Sequence, residues 1–202
     1  MSQSNPVSKL TNTVILHRIC FFNTVIARVS IAKKLSYVLL FLLFQSFSTV
    51  SAQETNYAVH ANIIYHFTKY INWPPETRKG DFIIGIVGDS PLYDELKEST
   101  VGKTVGNRKI IIRHFSSSAS TFNCHILFIS NEESNRLKKI ATATASSSVL
   151  IVSEGNGLAT KGASINFKIA QERLRLEINK DNIEDRGLGI ATELLQLGTV
   201  VN

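Results

Sequence analysis

Cysteine is nearly absent: only Cys20 and Cys124 occur in 202 residues, and only Cys124 follows residue 52. One thiol closes no internal disulfide, so a processed product must be held by its core rather than by cross-links. In "FNCHILFIS" that thiol opens an apolar run and reads as buried and structural rather than redox-active. Histidine is missing from the last 77 residues, which deprives any late catalytic block of its usual base. His60 and His66 stand six apart rather than the three or four that share a helix face. With Cys124 and His125 they form no metal-ligand spacing, so neither a metal nor a cofactor is expected. The glycine-rich "GNGLATKG" of 155–162 lacks the Lys-Ser/Thr ending of a phosphate loop. There is no internal repeat and no linker.

Acidic residues are missing from the first 52 positions; all 16 lie beyond them. Five of the 22 basic residues (Lys9, Arg18, Arg28, Lys33 and Lys34) lie within them. Residues 53–202 therefore carry 17 − 16 = +1. The basic balance of the whole chain belongs to its leader, and it gives no ground for nucleic-acid binding.

Long apolar runs are lacking too. Leu35–Phe47 is 13 residues, short of the roughly 18–20 that span a bilayer. It follows Lys33-Lys34 and leads to Val50 and Ala52, small residues at the two positions a signal peptidase reads. Residues 1–52 are thus expected to be an N-terminal extension with a secretory signal peptide, cleaved after Ala52 to leave Gln53 first. An uncleaved anchor is the competing reading. Residues 1–28 fit no targeting signal, and the expected translation start is Val29. The remaining 53–202 is the size of one domain with a full core, expected in the periplasm without stable membrane insertion.

What is present is an alternation of helices and apolar strands. Residues 57–73 put Ile63, Ile64, Phe67, Tyr70 and Ile71 on one helical stripe, closed by Pro74-Pro75. Strands are expected at 81–87, 108–115, 125–130 and 148–153, with helices over 91–98 and 131–144. Continuous apolar strands between helices imply a parallel sheet covered on both faces. Residues 164–179 instead alternate with period two, as in an antiparallel hairpin. A turn at Ala170-Gln171 sets Phe167 against Leu174, and Asn166 against Arg175. The expected fold is α/β: a three-layer sandwich with a mostly parallel central sheet and an antiparallel edge hairpin near the C-terminus. A last helix is expected over roughly 182–198.

Gly88-Asp89-Ser90 after a strand resembles the nucleophile block of a class of serine esterases. The other blocks of that class are missing: neither Gly-Asn pair continues as required, and no histidine has Asp three residues earlier. The competing account is complete. Ser is a favoured N-cap, Pro91 suits the first helical position, and Gly88 allows the tight turn. Asn166, Arg173, Arg175 and Glu177 form one polar strand face, either simply solvated or a binding face in which Arg is the anchor.

"FTKYINWP" (67–74), "IVGDSPL" (86–92), "SVLIVSE" (148–154), "GASINFKIAQERLRLEIN" (162–179) and "RGLGIATELLQL" (186–197) follow one another in order. Together they resemble the YfiR-like family of bacterial periplasmic proteins. The resemblance implies a non-enzymatic α/β domain, often dimeric. It also implies binding to the periplasmic sensor domain of an inner-membrane diguanylate cyclase, YfiN, which is thereby held inactive. Some members use cysteine pairs as redox control; a chain with one cysteine after residue 52 departs from that pattern.

Three functions stand at this point: a regulatory binding protein that lowers cyclic di-GMP signalling, a small-ligand sensor, and a serine hydrolase using Ser90. For the first, Leu188, Leu194, Leu195 and Leu197 are the expected partner or homodimer interface. A single continuous helix would spread them over more than the one stripe its own core needs.

Overall fold

The computed structural model of the chain describes residues 56–202. The expected leader, the start at Val29 and the boundary after Ala52 lie outside the described residues. Helix α1, Tyr57–Tyr70, begins at Asn56, whose side chain accepts from the Val59 N–H at 3.2 Å. It buries His60, Ala61, Ile64 and Phe67, one stripe at helical spacing. The helix stops before the prolines, because Ile71 turns extended to form β1, Ile71–Asn72. Pro74-Pro75 instead leads into a 3-10 turn over Pro75–Arg78.

The main sheet contains β2 (Phe82–Val87), β3 (Thr104–Val105), β4 (Arg108–Phe115), β5 (Ile126–Ile129), β6 (Leu150–Glu154), β7 (Ile165–Ala170), β8 (Arg173–Asn179) and β10 (Thr199–Val201). Their spatial order is β10-β8-β7-β6-β5-β2-β4-β3. The run β4-β2-β5-β6-β7 is parallel throughout. Chain order reverses direction between β2 and β5, as in a doubly wound sheet. Helices α1 and α2 (Leu92–Ser99) cover one face, over Phe82, Ile84, Ile86, Phe128, Val152, Ile165 and Phe167. Helix α3 (Leu137–Ala143) covers the other, over Val87, Leu127, Ile129 and Ile151. The expected three-layer α/β architecture with a mostly parallel sheet is what the chain adopts.

Two details of the sequence reading need correction. The hairpin turns at Gln171-Glu172, both at positive φ (51° and 59°), so Ala170 pairs with Arg173. Phe167 faces Leu176 rather than Leu174, and Asn166 faces Glu177 rather than Arg175. A shift of two residues keeps apolar against apolar, so alternation alone could not separate the two registers. Nor is the hairpin the outermost element, since β10 adds beyond β8.

The second correction concerns the last helix, which is broken. α4 spans only Lys180–Glu184, β9 is Gly189–Ile190, α5 is Thr192–Gln196, and β10 follows. Gly187 at φ 68° ends the first turn, and Ile190 pairs with Ile71 across β1 and β9. No helix of the described residues is long and apolar enough to cross a membrane.

Buried histidines give this fold a pH dependence. At the amino ends of the strands, His125 Nδ1 accepts from the Ile83 N–H (3.1 Å). Its Nε2 stands 2.8 Å from the Thr77 carbonyl, an arrangement that needs the proton on Nε2. Burial, with Arg108 beside the ring, pushes its pKa below the ordinary value; burial does the same to His60. Below about pH 6.5 the unfolded chain therefore binds protons that the folded one resists. Stability is full above that pH and falls as pH drops through it. The Glu177 carboxyl, raised by burial but held low overall by Lys168 and Asn166, extends the loss into the carboxylate range. The melting temperature should fall steadily between about pH 7.5 and about pH 5. A flat profile there would contradict neutral, buried histidines.

Candidate functional site

A crevice of about 360 Å³ opens at the carboxyl ends of β6 and β7, bounded by the start of α1. Glu154, the last residue of β6, accepts on one oxygen from the Tyr57 hydroxyl (3.1 Å) and from the Asn131 N–H (3.2 Å). His60 packs on the Phe167 ring at 4.4 Å between centroids, and its Nδ1 is 3.0 Å from the Asn56 carbonyl. A proton on Nδ1 satisfies that contact and leaves Nε2 as an acceptor. Burial and the Glu154 charge together raise the Tyr57 pKa, so the phenol stays protonated and donating. The site is a small pocket of polar groups around the Glu154 carboxylate, with Lys168, ion-paired to Glu177, also in its lining. Sequence reasoning missed it, because its members come from four separate segments and match no motif.

Ser90 lies after β2, at the point where the sheet reverses direction. Its hydroxyl accepts from the Leu92 N–H at 3.3 Å, and its carbonyl accepts from the Tyr93 N–H at 3.1 Å. It thus closes the first turn of α2 as a cap does. No histidine is hydrogen-bonded to it among the described residues. His125 lies at the start of β2 rather than its end, and His114 stacks on Tyr93 at 4.0 Å. Ser90→Ala should destabilise the protein by about 1 kcal/mol in urea titration. Loss of a measured esterase activity in that variant would instead assign it catalysis. The Cys124 thiol is pushed up to about 12 by burial, which leaves it protonated and unreactive.

The expected polar face divides. Asn166 and Glu177 are buried in one network. Ser153 donates to Asn166 Oδ1 (2.8 Å), and Asn166 Nδ2 donates to the Gly155 carbonyl (2.8 Å) and to Glu177 (2.9 Å). Lys168 is ion-paired to the same carboxylate. These bonds use both N–H groups of Asn166 and engage both oxygens of Glu177, so the two side chains tie the hairpin to β6 and the loop after it. Arg173 and Arg175 remain exposed toward its tip.

The four leucines also separate. Leu188 and Leu194 are 3% and 2% exposed and belong to the core under α1. The broken helix turns them into the core of this subunit, so of the four expected interface leucines only Leu195 and Leu197 reach its surface. Leu195 is half-buried against the same core, and Leu197 is 64% exposed. Leu197 lines a mainly apolar groove of about 420 Å³ with Val59, Ile63, Tyr70 and Leu174, and His66 and Arg175 bring polar groups to it. Val59 (43% exposed) sits in that groove, and Val200 (47%) lies three residues beyond Leu197.

No curated protein matches the chain. The YfiR/HmsC-like family matches residues 57–199, more than two thirds of its length. The chain belongs to that family.

Proposed function

We propose that this member of the YfiR/HmsC-like family is a periplasmic regulatory binding protein. It represses an inner-membrane diguanylate cyclase by holding the cyclase's periplasmic sensor domain, and so lowers cyclic di-GMP. Family membership supports a regulator rather than an enzyme. The observation that carries a binding role is the apolar groove between α1, β8 and α5, with Leu197 at its lip. An exposed leucine beside the exposed Val59 in a mainly apolar cleft is the kind of surface that a partner covers.

Leu197→Glu tests the reading. The side chain is mostly in water, so the melting curve should shift by less than ~0.5 kcal/mol. Binding to the sensor domain should weaken by ~2 kcal/mol or more, the loss typical of a central anchor. Cyclic di-GMP in cells should rise with it. A folded variant with unchanged binding and unchanged cyclic di-GMP removes the groove from the interface. A change in light-scattering mass alone assigns the groove to a homodimer.

The crevice at Glu154 favours a second reading, a small-ligand sensor. The second carboxylate oxygen and His60 Nε2 have no hydrogen-bond partner among the described residues. Both are acceptors, which suits a ligand rich in N–H or O–H groups.

A further inference from the structure

Strand β4 has one open side. β2 pairs with it along Ile110–Phe115, but on its other side β3 covers only Arg108 and Lys109. Past Lys109, no strand and no backbone hydrogen bond occupies that side among the described residues. Alternate residues of 110–115 bond β2, and the residues between them turn their N–H and C=O to the open side, the template onto which an extended chain adds. A groove of about 570 Å³ runs along this edge, floored by Ile110 and Ile112 and rimmed by Lys97, Lys103 and Lys109. None of its lining residues is acidic. The ion pairs among the described residues are Lys168–Glu177 and Lys180–Glu184, so these three ammonium groups are uncompensated. Lys97 and Lys103 lie over the rings of Tyr93 and Tyr65, which holds them at the rim.

We propose that the open edge of β4 is a strand-addition site for an extended, acidic peptide segment of a partner protein. Lys109, Ile111 and Arg113 are exposed on one face of the strand, and Ile110 and Ile112 are half-buried on the other. An added strand sets acidic side chains at alternate positions beside Lys109 and Arg113, and apolar ones beside Ile110 and Ile112. A second copy of this chain is a poor occupant. A two-fold pair centred on Ile111 opposes Lys109 with the copy's Arg113, and one centred on Arg113 opposes two arginines. In either register one face collects the cations of both copies and no carboxylate, an arrangement that discourages self-pairing. The site lies at the opposite end of the sheet from the Leu197 groove and does not depend on the function proposed for it.

The probe is a short capped peptide alternating Glu and Val, with its Lys-Val counterpart as control. The acidic peptide should bind saturably by fluorescence anisotropy and slow amide hydrogen exchange within Ile110–Phe115. The triple variant Lys97→Glu, Lys103→Glu, Lys109→Glu should bind it about tenfold more weakly, from the loss of three exposed charge pairs. Leu197→Glu should bind it as the wild type does. Absence of binding, equal binding of the Lys-Val peptide, protection elsewhere in the chain, or sensitivity to Leu197→Glu would each overturn the proposal. So would slow exchange of these amides in the protein alone with a doubled light-scattering mass, which assigns the edge to a second copy. Binding to phosphatidylglycerol vesicles without protection of these amides assigns the lysines to a lipid surface and also overturns it.

Discussion

Arg186→Ala is expected to destabilise the fold by about 3 kcal/mol. The guanidinium is buried, and among the described residues no carboxylate is paired with it. It caps α3 instead, from 42 residues away in the chain. Nη1 donates to the Thr144 carbonyl (2.9 Å) and hydroxyl (3.0 Å), and Nη2 donates to the Ala141 carbonyl (3.2 Å). These carbonyls belong to the last turn of α3, which has no basic residue of its own there. One side chain thus places a positive charge at the negative end of the helix dipole and adds donors to carbonyls that otherwise have only the Ser147 N–H and the Thr144 hydroxyl. Burial lowers the Arg186 pKa, yet the group stays charged across the physiological range. Removal takes away three charge-assisted hydrogen bonds, leaving the Thr144 carbonyl with only the Ser147 N–H (3.0 Å) and the Ala141 carbonyl with a long contact from the Thr144 hydroxyl (3.4 Å). Arg186→Lys should recover only part of the loss, because a single ammonium cannot reproduce the planar fork. Arg186→Met separates packing from hydrogen bonding: it restores much of the volume and none of the three guanidinium hydrogen bonds. Urea titration of the three variants decides the matter, and a change below ~1 kcal/mol in Arg186→Ala would show the cap to be dispensable.

The same arginine shows what the sequence could and could not disclose. Its neighbourhood, "RGLGIATELLQL", reads as helix by leucine content, yet the chain breaks there three times. Gly187 permits the first break, and pairing of Ile190 with Ile71 imposes another. That pairing joins residues 119 apart, and no local pattern records it. The parallel strands were legible because each is a continuous apolar run and both faces of the sheet are covered. β3, β9 and β10 were not, because two or three residues carry no period. The hairpin was legible as a hairpin, while its register depended on Gln171 and Glu172 adopting positive φ without glycine. Of the surface leucines, Leu197 alone proved strongly exposed, and it required the broken backbone to be known. The Glu154 crevice left no signal, since Tyr57, Asn131 and Glu154 meet only when the sheet is closed.

Gly88→Ala should be as damaging as loss of Arg186, at about 3 kcal/mol, for a different reason. Gly88 ends β2 at φ 88°, a backbone that L side chains rarely adopt. A Cβ built there lies 2.4 Å from Ser130 Oγ and 2.8 Å from Glu133 Cγ, so the methyl group meets a wall as well as a strained backbone. The wall is the loop after β5, the strand beside β2 at the point where the sheet reverses. The Ser130 hydroxyl is buried and has no hydrogen-bond partner among the described residues. Ser130→Ala alone should therefore shift stability by no more than ~0.5 kcal/mol, since no bond is lost. In the Gly88→Ala background it should give back about 1 kcal/mol by removing the closest atom, leaving the φ penalty and the Glu133 contact in place. That non-additivity is the discriminating measurement. If the two substitutions simply add, strain at φ 88° accounts for the whole effect and the approach of β2 to the β5 loop is not tight. If Gly88→Ala is neutral, the turn that carries Ser90 into α2 has another conformation available, and the capping role of Ser90 loses its geometric basis.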